Sequence, residues 1–177
     1  MALKVLAISS YTDTWNSVRP EGEMLIALAK AGAKVTVMTQ GDADYAARFR
    51  EAGLALINYH PPKKFSFAAI CRIRHALKAG GFDALYCFNN LAIANSVWAA
   101  LGLPVKLITY RGQTGNISRW DPSCYLTHLH PRVNAIICVA EAVRADLLQQ
   151  SRLGPERIVT INKGHEPEWY ADVIPAD

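Results

Sequence analysis

The stretch Lys4 to Gly22, KVLAISSYTDTWNSVRPEG, decides how the rest of the chain is read. Val5, Leu6, Ala7 and Ile8 form a continuous apolar run. It is too short to span a membrane or to stand as a lone helix, and so suits a strand buried on both faces of a parallel sheet. The run breaks into a polar loop, and a helix begins at about Glu21. In an open, doubly wound sheet, the loops that leave the carboxyl ends of central strands border the crevice where ligands bind. Ser9, Ser10, Tyr11, Thr12, Asp13, Thr14, Asn16 and Arg19 are therefore expected to line it.

The pattern repeats outward from this unit. Glu21 to Ala31 carries Met24, Leu25, Leu28 and Ala29 at helical spacing, with acidic residues in the first turn and Gly32 to end it. Lys34 to Thr39 reads as a second strand, followed by a short helix with Ala47, Phe49 and Ala52 on its apolar side. Ala55 to Tyr59 is a third strand, closed by Pro61 and Pro62. Ser66 caps a helix to about Ala79, with Phe67, Ile70, Ile73 and Leu77 on one side and Arg72, Arg74, His75 and Lys78 giving it a basic surface. Further strands are expected at Ala84 to Phe88, Val105 to Tyr110, Ala135 to Val139 and Ile158 to Ile161. Asn89 or Asn90, Asp121 with Pro122, and Glu141 open the helices between them. About seven alternations with short connections imply an α/β fold: a doubly wound, mainly parallel sheet with helices on both faces.

The bulk properties bound the partners. With 177 residues, 51% hydrophobic and 19% charged, the chain suits one compact domain rather than a disordered segment. A net charge of +4 favours anionic ligands or an anionic membrane surface, whereas no block of like charges resembles a nucleic-acid arm. Cys71, Cys87, Cys124 and Cys138 lack the spacing of a zinc site and read as buried, reduced thiols; no metal is expected. There is neither a signal-peptide pattern nor a run of ~18 apolar residues, so a cytoplasmic location is expected. Residues 171–177, ADVIPAD, read as the start of a linker after a domain spanning 1–170.

Because all carboxyl ends of a parallel sheet share one edge, the polar loops converge there. They are Ser9 to Gly22, Asn89 with Asn90, Arg111 to Trp120, Glu141, and Asn162 to Glu166. Two cations and several helix amino termini around one crevice suit an anion such as a phosphate or a sugar phosphate. Arg111 reads equally as a ligand for that anion, at the crevice rim, or as a surface arginine paired to a carboxylate. Gly112 and Gly115 allow close backbone approach or simply serve the turn. His165 with Glu166 reads as solvated loop or as an acid and base pair. His128 and His130 read as facing apart at a helix end. No GxSxG context surrounds Ser9 or Ser10, and no dinucleotide glycine fingerprint follows the first strand.

These segments, in this order, resemble the amino-terminal half of GT-B glycosyltransferases, particularly the retaining family 4 type. Pro20, Glu21, Gly22 and Glu23 stand where the family commonly has two glycines, any residue and a glutamate. FDALY at Phe82 to Tyr86 is similar to its D-V-V-H segment, and Leu103 to Gly112 to the segment ending in His-Gly. IICVAEAVRAD at Ile136 to Asp146 is similar to its V-S-E-A stretch, and GPERIVTINKGHEPEWY at Gly154 to Tyr170 to its P-x-K-I and N-G-V-D elements. Four positions depart: Glu21 replaces the first glycine, Arg111 the histidine that contacts the transferred sugar, Ala140 a serine and Lys163 an asparagine.

The resemblance implies a Rossmann-like, acceptor-side domain. It implies transfer of a sugar to a glycan or lipid-linked acceptor in cell-surface polysaccharide or lipopolysaccharide synthesis; separately, the basic face of Arg72, Arg74, His75 and Lys78 reads as an ordinary solvated surface or as a contact with an acceptor phosphate or the inner face of the membrane. No cofactor is implied, since the nucleotide-sugar donor is a co-substrate held mainly by a carboxyl-terminal domain, without which this chain is expected to be inactive. Carried onto this sequence, the catalytic position is Arg111. With the loops that converge on the sheet edge, the substrate-binding positions are Tyr11, Asp13, Thr14, Arg19, Asn89 and Asn90 from those loops, and Glu21, Gly22, Gly112, Glu141, Lys163 and Gly164 where the resemblance also falls. The alternative is a stand-alone binding module that kept the fold without the chemistry, motivated by the altered Glu21, Arg111 and Lys163. An unrelated flavodoxin-like domain fits less well, because about seven strands exceed that plan and no flavin-phosphate loop is evident.

Overall fold

A computed structural model describes residues 2–12, 18–164 and 169. Seven strands lie in one sheet, β1 (Lys4–Ile8), β2 (Lys34–Thr39), β3 (Ala55–Asn58), β4 (Ala84–Cys87), β5 (Lys106–Arg111), β6 (Ala135–Cys138) and β7 (Ile158–Thr160). Their order is β3-β2-β1-β4-β5-β6-β7, and every pair is parallel. The doubly wound parallel sheet expected from the alternation is the fold of the chain.

The apolar run of β1 explains its central place. Leu6 and Ile8 point into one core and Val5 and Ala7 into the other, all 5% exposed or less. The first core adds Leu85, Leu107 and Ile136 from the sheet and is covered by α3 (Phe67–Gly80), α4 (Asn90–Ala99) and α5 (Glu141–Gln150). The second adds Val35, Val37 and Tyr86 and is covered by α1 (Arg19–Lys30) and α2 (Ala46–Glu51). Apolar burial on both faces of the sheet is the main force holding the layers together.

Local chemistry sets the helix ends. Ser66 accepts from the Ala69 amide at 3.3 Å to start α3, and Gly81, at φ 59°, ends it in the left-handed conformation that a side chain would oppose. Asn89 accepts from the Ala92 amide at 2.9 Å to start α4.

Some expectations are corrected. The helix after Asp121 is only a short 3₁₀ helix, Pro122–Leu126, which buries Cys124 and is succeeded by turns that bury Leu129 and Val133. Pro131 has no amide proton with which to extend a helix through this region. Phe67 does not join the apolar side of α3 but is 76% exposed; its neighbour Ser66 is the residue held against α4, through a 2.9 Å bond to Asn95. The basic surface of α3 is partly structural, since Arg74 donates to the carbonyls of Ala99 and Leu101 and Arg72 lies over the Tyr59 ring. Cys71 is exposed, whereas the other three cysteines are buried thiols. Among the described residues no helix is long and apolar enough to cross a membrane, and no group of three His, Cys, Asp or Glu side chains could hold a metal ion.

Candidate active site

The strand order reverses between β1 and β4, and the crevice outside the carboxyl ends of the strands at such a point is where open α/β sheets bind ligands. A groove of about 400 Å³ lies along this edge, bordered by Phe88, Asn89 and Asn90 after β4, Tyr110 to Gln113 at and after β5, and Val139 after β6. Glu21, from the first turn of α1, and Lys163, following β7, complete it. A neighbouring depression of about 390 Å³ lies over β1 to β4, between Ser10, Thr12, Gln40, His60 and Asn89. Asn89 joins the two: its amide meets His60 Nε2 at 3.1 Å while its oxygen caps α4.

Glu21 is the most perturbed carboxylate of the groove. Burial raises its pKa from an ordinary 4.5 to about 7, against the opposing pull of Lys163 and of a hydrogen bond from Tyr110. The Lys163 ammonium stands 3.9 Å from its carboxylate. Desolvation therefore outweighs the cation, and near neutral pH Glu21 exists as acid and carboxylate in comparable amounts.

A second, larger cavity of about 590 Å³ opens on the other side of Asn90 and Arg111. One wall is the stripe Asn90, Ala94 and Trp98, which the four-residue spacing places on one side of α4. The opposite wall is the loop after β5 with the 3₁₀ helix, contributing Ile117, Cys124, Leu126 and His128. Lys64 and Phe65 form its border. They are fixed by buried Asn95, whose amide donates to the carbonyls of Lys63 and Leu91 and whose oxygen accepts from the Ser66 amide. Asn90, Arg111, Gln113 and His128 line both spaces and form a shared wall.

Arg111 is not at the rim. It is only 7% exposed, and its guanidinium donates to the Gly115 carbonyl, closing the loop back onto β5. Asp146 accepts from the Gly115 amide at 2.9 Å and adds a negative charge near the guanidinium. The side chain that was read as ligand or surface ion pair is thus a buried cation that also shapes its loop. His128 is absent from the predicted site: expected only to face apart from His130 at a helix end, it is buried, with Nδ1 3.0 Å from Thr109 Oγ1. Burial, assisted by the Arg111 charge, lowers its pKa from 6.5 to about 3, so it is a neutral imidazole at working pH. No spacing rule in the sequence marks it; the only hint is a histidine in a loop facing the convergent edge.

The structure brings Glu21, Asn89, Asn90, Arg111, Gly112 and Lys163 together at the groove. Tyr11 stands elsewhere: fully buried, it packs on Phe49 with centroids 5.0 Å apart, and its hydroxyl has no hydrogen-bond partner among the described residues. Gly22 is buried against Tyr45, where an added Cβ would lie 2.3 Å from a ring carbon, so its lack of a side chain serves packing. Glu141 is exposed and accepts from Thr160 and Arg144, away from both spaces. Arg19 lies over the Trp169 ring and donates to its carbonyl, and Gly164 is exposed beyond the groove lining. Asp13, Thr14, Asn16, His165 and Glu166 lie outside the described residues.

Comparisons with known proteins now bear on this geometry. The model of glycosyltransferase family 4 matches residues 22–169. No curated protein matches the sequence. Among solved structures, a glycosyltransferase from Rickettsia africae ESF-5 is similar at TM-score 0.76 and 14% identity, over 98% of this chain and 47% of its own. Anabaena Alr3699/HepE in complex with UDP-glucose is similar at 0.68 and 10% identity, over 93% of this chain and 44% of its own. MurG of Acinetobacter baumannii is similar at 0.62 and 10% identity, over 93% and 47%. At these identities the likeness is one of fold, and the chain spans about half the length of each. With most of its length matched by the family model and its sheet shared with GT-B enzymes, the chain belongs to glycosyltransferase family 4.

Proposed function

We propose that this chain is the acceptor-side domain of a glycosyltransferase that moves a sugar from a nucleotide-sugar donor to a glycan or lipid-linked acceptor in cell-surface polysaccharide or lipopolysaccharide synthesis. The observation that carries the reading is the shared wall. Asn90, Arg111, Gln113 and His128 separate a groove at the sheet's switch point from a deeper cavity, so two substrates would meet across one set of polar groups. The groove holds cationic Lys163 beside Glu21, and Arg111 stands behind it, a charge arrangement suited to the phosphate side of a donor. Most donor contacts would come from a second Rossmann-like domain, which agrees with a chain spanning about half of its structural neighbours.

In this reading Arg111 supplies positive charge where a leaving phosphate develops negative charge, and does not move protons, because a guanidinium stays charged throughout the working range. Neutral His128 offers a polar ring at the same wall. Asn90 and Gly112 orient the sugar, Asn90 with its amide and Gly112 with an open backbone. Exposed Phe65 and Phe67, next to Lys63 and Lys64, would bring the cavity's border to the anionic inner face of a membrane.

The test compares the protein as isolated from its source cell with this 177-residue chain, using a panel of labelled UDP- and GDP-sugars and a lipid extract as acceptor. Label should move into the lipid or glycan fraction with the isolated protein and not with the chain alone. Turnover by the chain alone would overturn the division of labour, and no turnover in either would favour a binding module without chemistry.

A further inference from the structure

Glu21 puts a carboxyl on the lining of a groove that is read as holding an anion. Its side chain, in the first turn of α1, is only 12% exposed. The Lys163 ammonium stands 3.9 Å from it, and Tyr110 of β5 hydrogen-bonds to it. Tyr11 after β1 and Tyr86 of β4 also feel its charge, and Arg111 and His128 line the same groove. Burial holds the three tyrosines above their ordinary values and keeps His128 neutral, and a guanidinium stays charged, so none of these groups changes charge near neutral pH. An incoming phosphate competes with Glu21 for the Lys163 ammonium. An oxygen within ordinary hydrogen-bond length of Lys163 Nζ lies no more than about 7 Å from the carboxylate. Two negative charges that close, sharing one ammonium in a half-closed groove, repel each other. As an acid, Glu21 loses that repulsion and gains an O–H donor.

We propose that Glu21 is a specificity-determining residue that couples anion binding to proton uptake: when a phosphate-type anion takes the Lys163 ammonium, the Glu21 carboxylate accepts one proton from solvent and faces the anion as a hydrogen-bond donor. This rests on the reading of the groove as the phosphate side of a donor site, and it gives a role to the carboxylate that stands where the family commonly has a glycine. The proton is inexpensive, because Glu21 is half-protonated near pH 7 before any anion arrives. Anion affinity is then full below pH 7 and falls as pH rises, since more of the protein must first be protonated. A Glu21 that merely anchored Lys163 as an ion pair would act in the opposite sense, aiding the anion in its ionised form.

The probe is inorganic sulfate, which has the shape of a phosphate and keeps its charge from pH 6 to pH 8. It is titrated into the 177-residue chain at both pH values, with ionic strength held constant by chloride, and followed by the amide signals of Gly112 and Lys163 in NMR. Parental affinity should fall about fivefold or more from pH 6 to pH 8. The Glu21 midpoint, read from its carboxyl carbon, should rise by about one pH unit or more at saturating sulfate. Glu21→Gln should bind at pH 8 about as tightly as the parent does at pH 6, with the fall between the two abolished. Parental affinity that is equal at the two pH values, a Glu21 midpoint that sulfate leaves in place, a Glu21→Gln variant that keeps the parental pH profile or binds more weakly than the parent at pH 8, or no sulfate binding at pH 6 would each overturn the proposal. If labelled sugar still moves in the transfer assay, the transferase reading survives that failure, and the two can be told apart.

Discussion

Replacing Glu21 by glutamine should make the protein more stable in weak alkali than the parent, which is the opposite of what loss of an ion pair usually does. The reasoning starts from burial. The Glu21 carboxyl is raised from 4.5 to about 7 by desolvation, which outweighs the help of Lys163 at 3.9 Å and of Tyr110. Between those two values the folded state binds more protons than the unfolded one, so stability falls as pH rises through the window and stays reduced above it. At about 1.4 kcal/mol for each tenfold change in proton affinity, the ionised side chain costs the fold about 3 kcal/mol relative to its protonated form. Glutamine keeps the size and the hydrogen bonding and carries no charge. Urea unfolding of parent and Glu21→Gln at pH 5 and pH 8 isolates this group, because the other titrations cancel between the two proteins. The variant's advantage should grow by about 2.5 kcal/mol from pH 5 to pH 8, the rest of the effect lying below pH 5, where the unfolded carboxyl still takes up protons. Parallel pH profiles, or an advantage that shrinks as pH rises, would refute the reasoning and mean that the Lys163 contact dominates.

Four further outcomes follow from the same structure. Arg111→Ala should lower the melting temperature as well as activity, since the buried guanidinium holds the Gly115 carbonyl, at a cost of about 2 kcal/mol. In the same variant the His128 midpoint, followed by NMR, should move up from about 3 without reaching 6.5, because the neighbouring cation is removed while desolvation stays. Gly22→Ala should cost about 1–3 kcal/mol in chemical denaturation, as the new methyl would press on the Tyr45 ring between α1 and α2; an unchanged midpoint would show that the ring moves freely. Binding to anionic vesicles should be salt-sensitive and fall when Phe65 and Phe67 are both replaced by serine; binding equal to that of the parent would remove this surface from the membrane account.

The sheet was legible because burial on both faces leaves a periodic record. Val5 to Ile8 and Ala135 to Cys138 are apolar at nearly every position, and turn formers separate them from helices with one apolar side. The convergence of loops on one sheet edge was legible for the same reason, since it is a consequence of parallel strands. Placement within a loop was not. Tyr11 and Asp13 look alike as polar residues after β1, yet an aromatic ring has enough apolar area to fold back onto Phe49 and Tyr45, and there Tyr11 adopts a φ of 51°. Arg111 and His128 were misplaced because burial of a polar side chain depends on partners distant in sequence: Thr109 holds His128, and Asp146 fixes the Gly115 turn onto which Arg111 closes. Gly22 illustrates the converse: a glycine compatible with ligand approach is required by the Tyr45 ring just before α2, which no local pattern reveals.

The most direct test of the central claim is transfer itself, measured with the protein isolated from its source cell and with variants at the wall between groove and cavity. Asn90→Ala and Arg111→Lys both leave most of the fold's contacts in place, and they alter polar groups that face both spaces. The account predicts that each lowers the rate of sugar transfer at saturating acceptor by about 100-fold or more, with donor binding much less affected, because the wall meets the charge that develops at the leaving phosphate in the transition state more than the charge of the bound donor. Transfer at the parental rate in both variants, or loss confined to donor affinity, would contradict it and move the chemistry away from this wall.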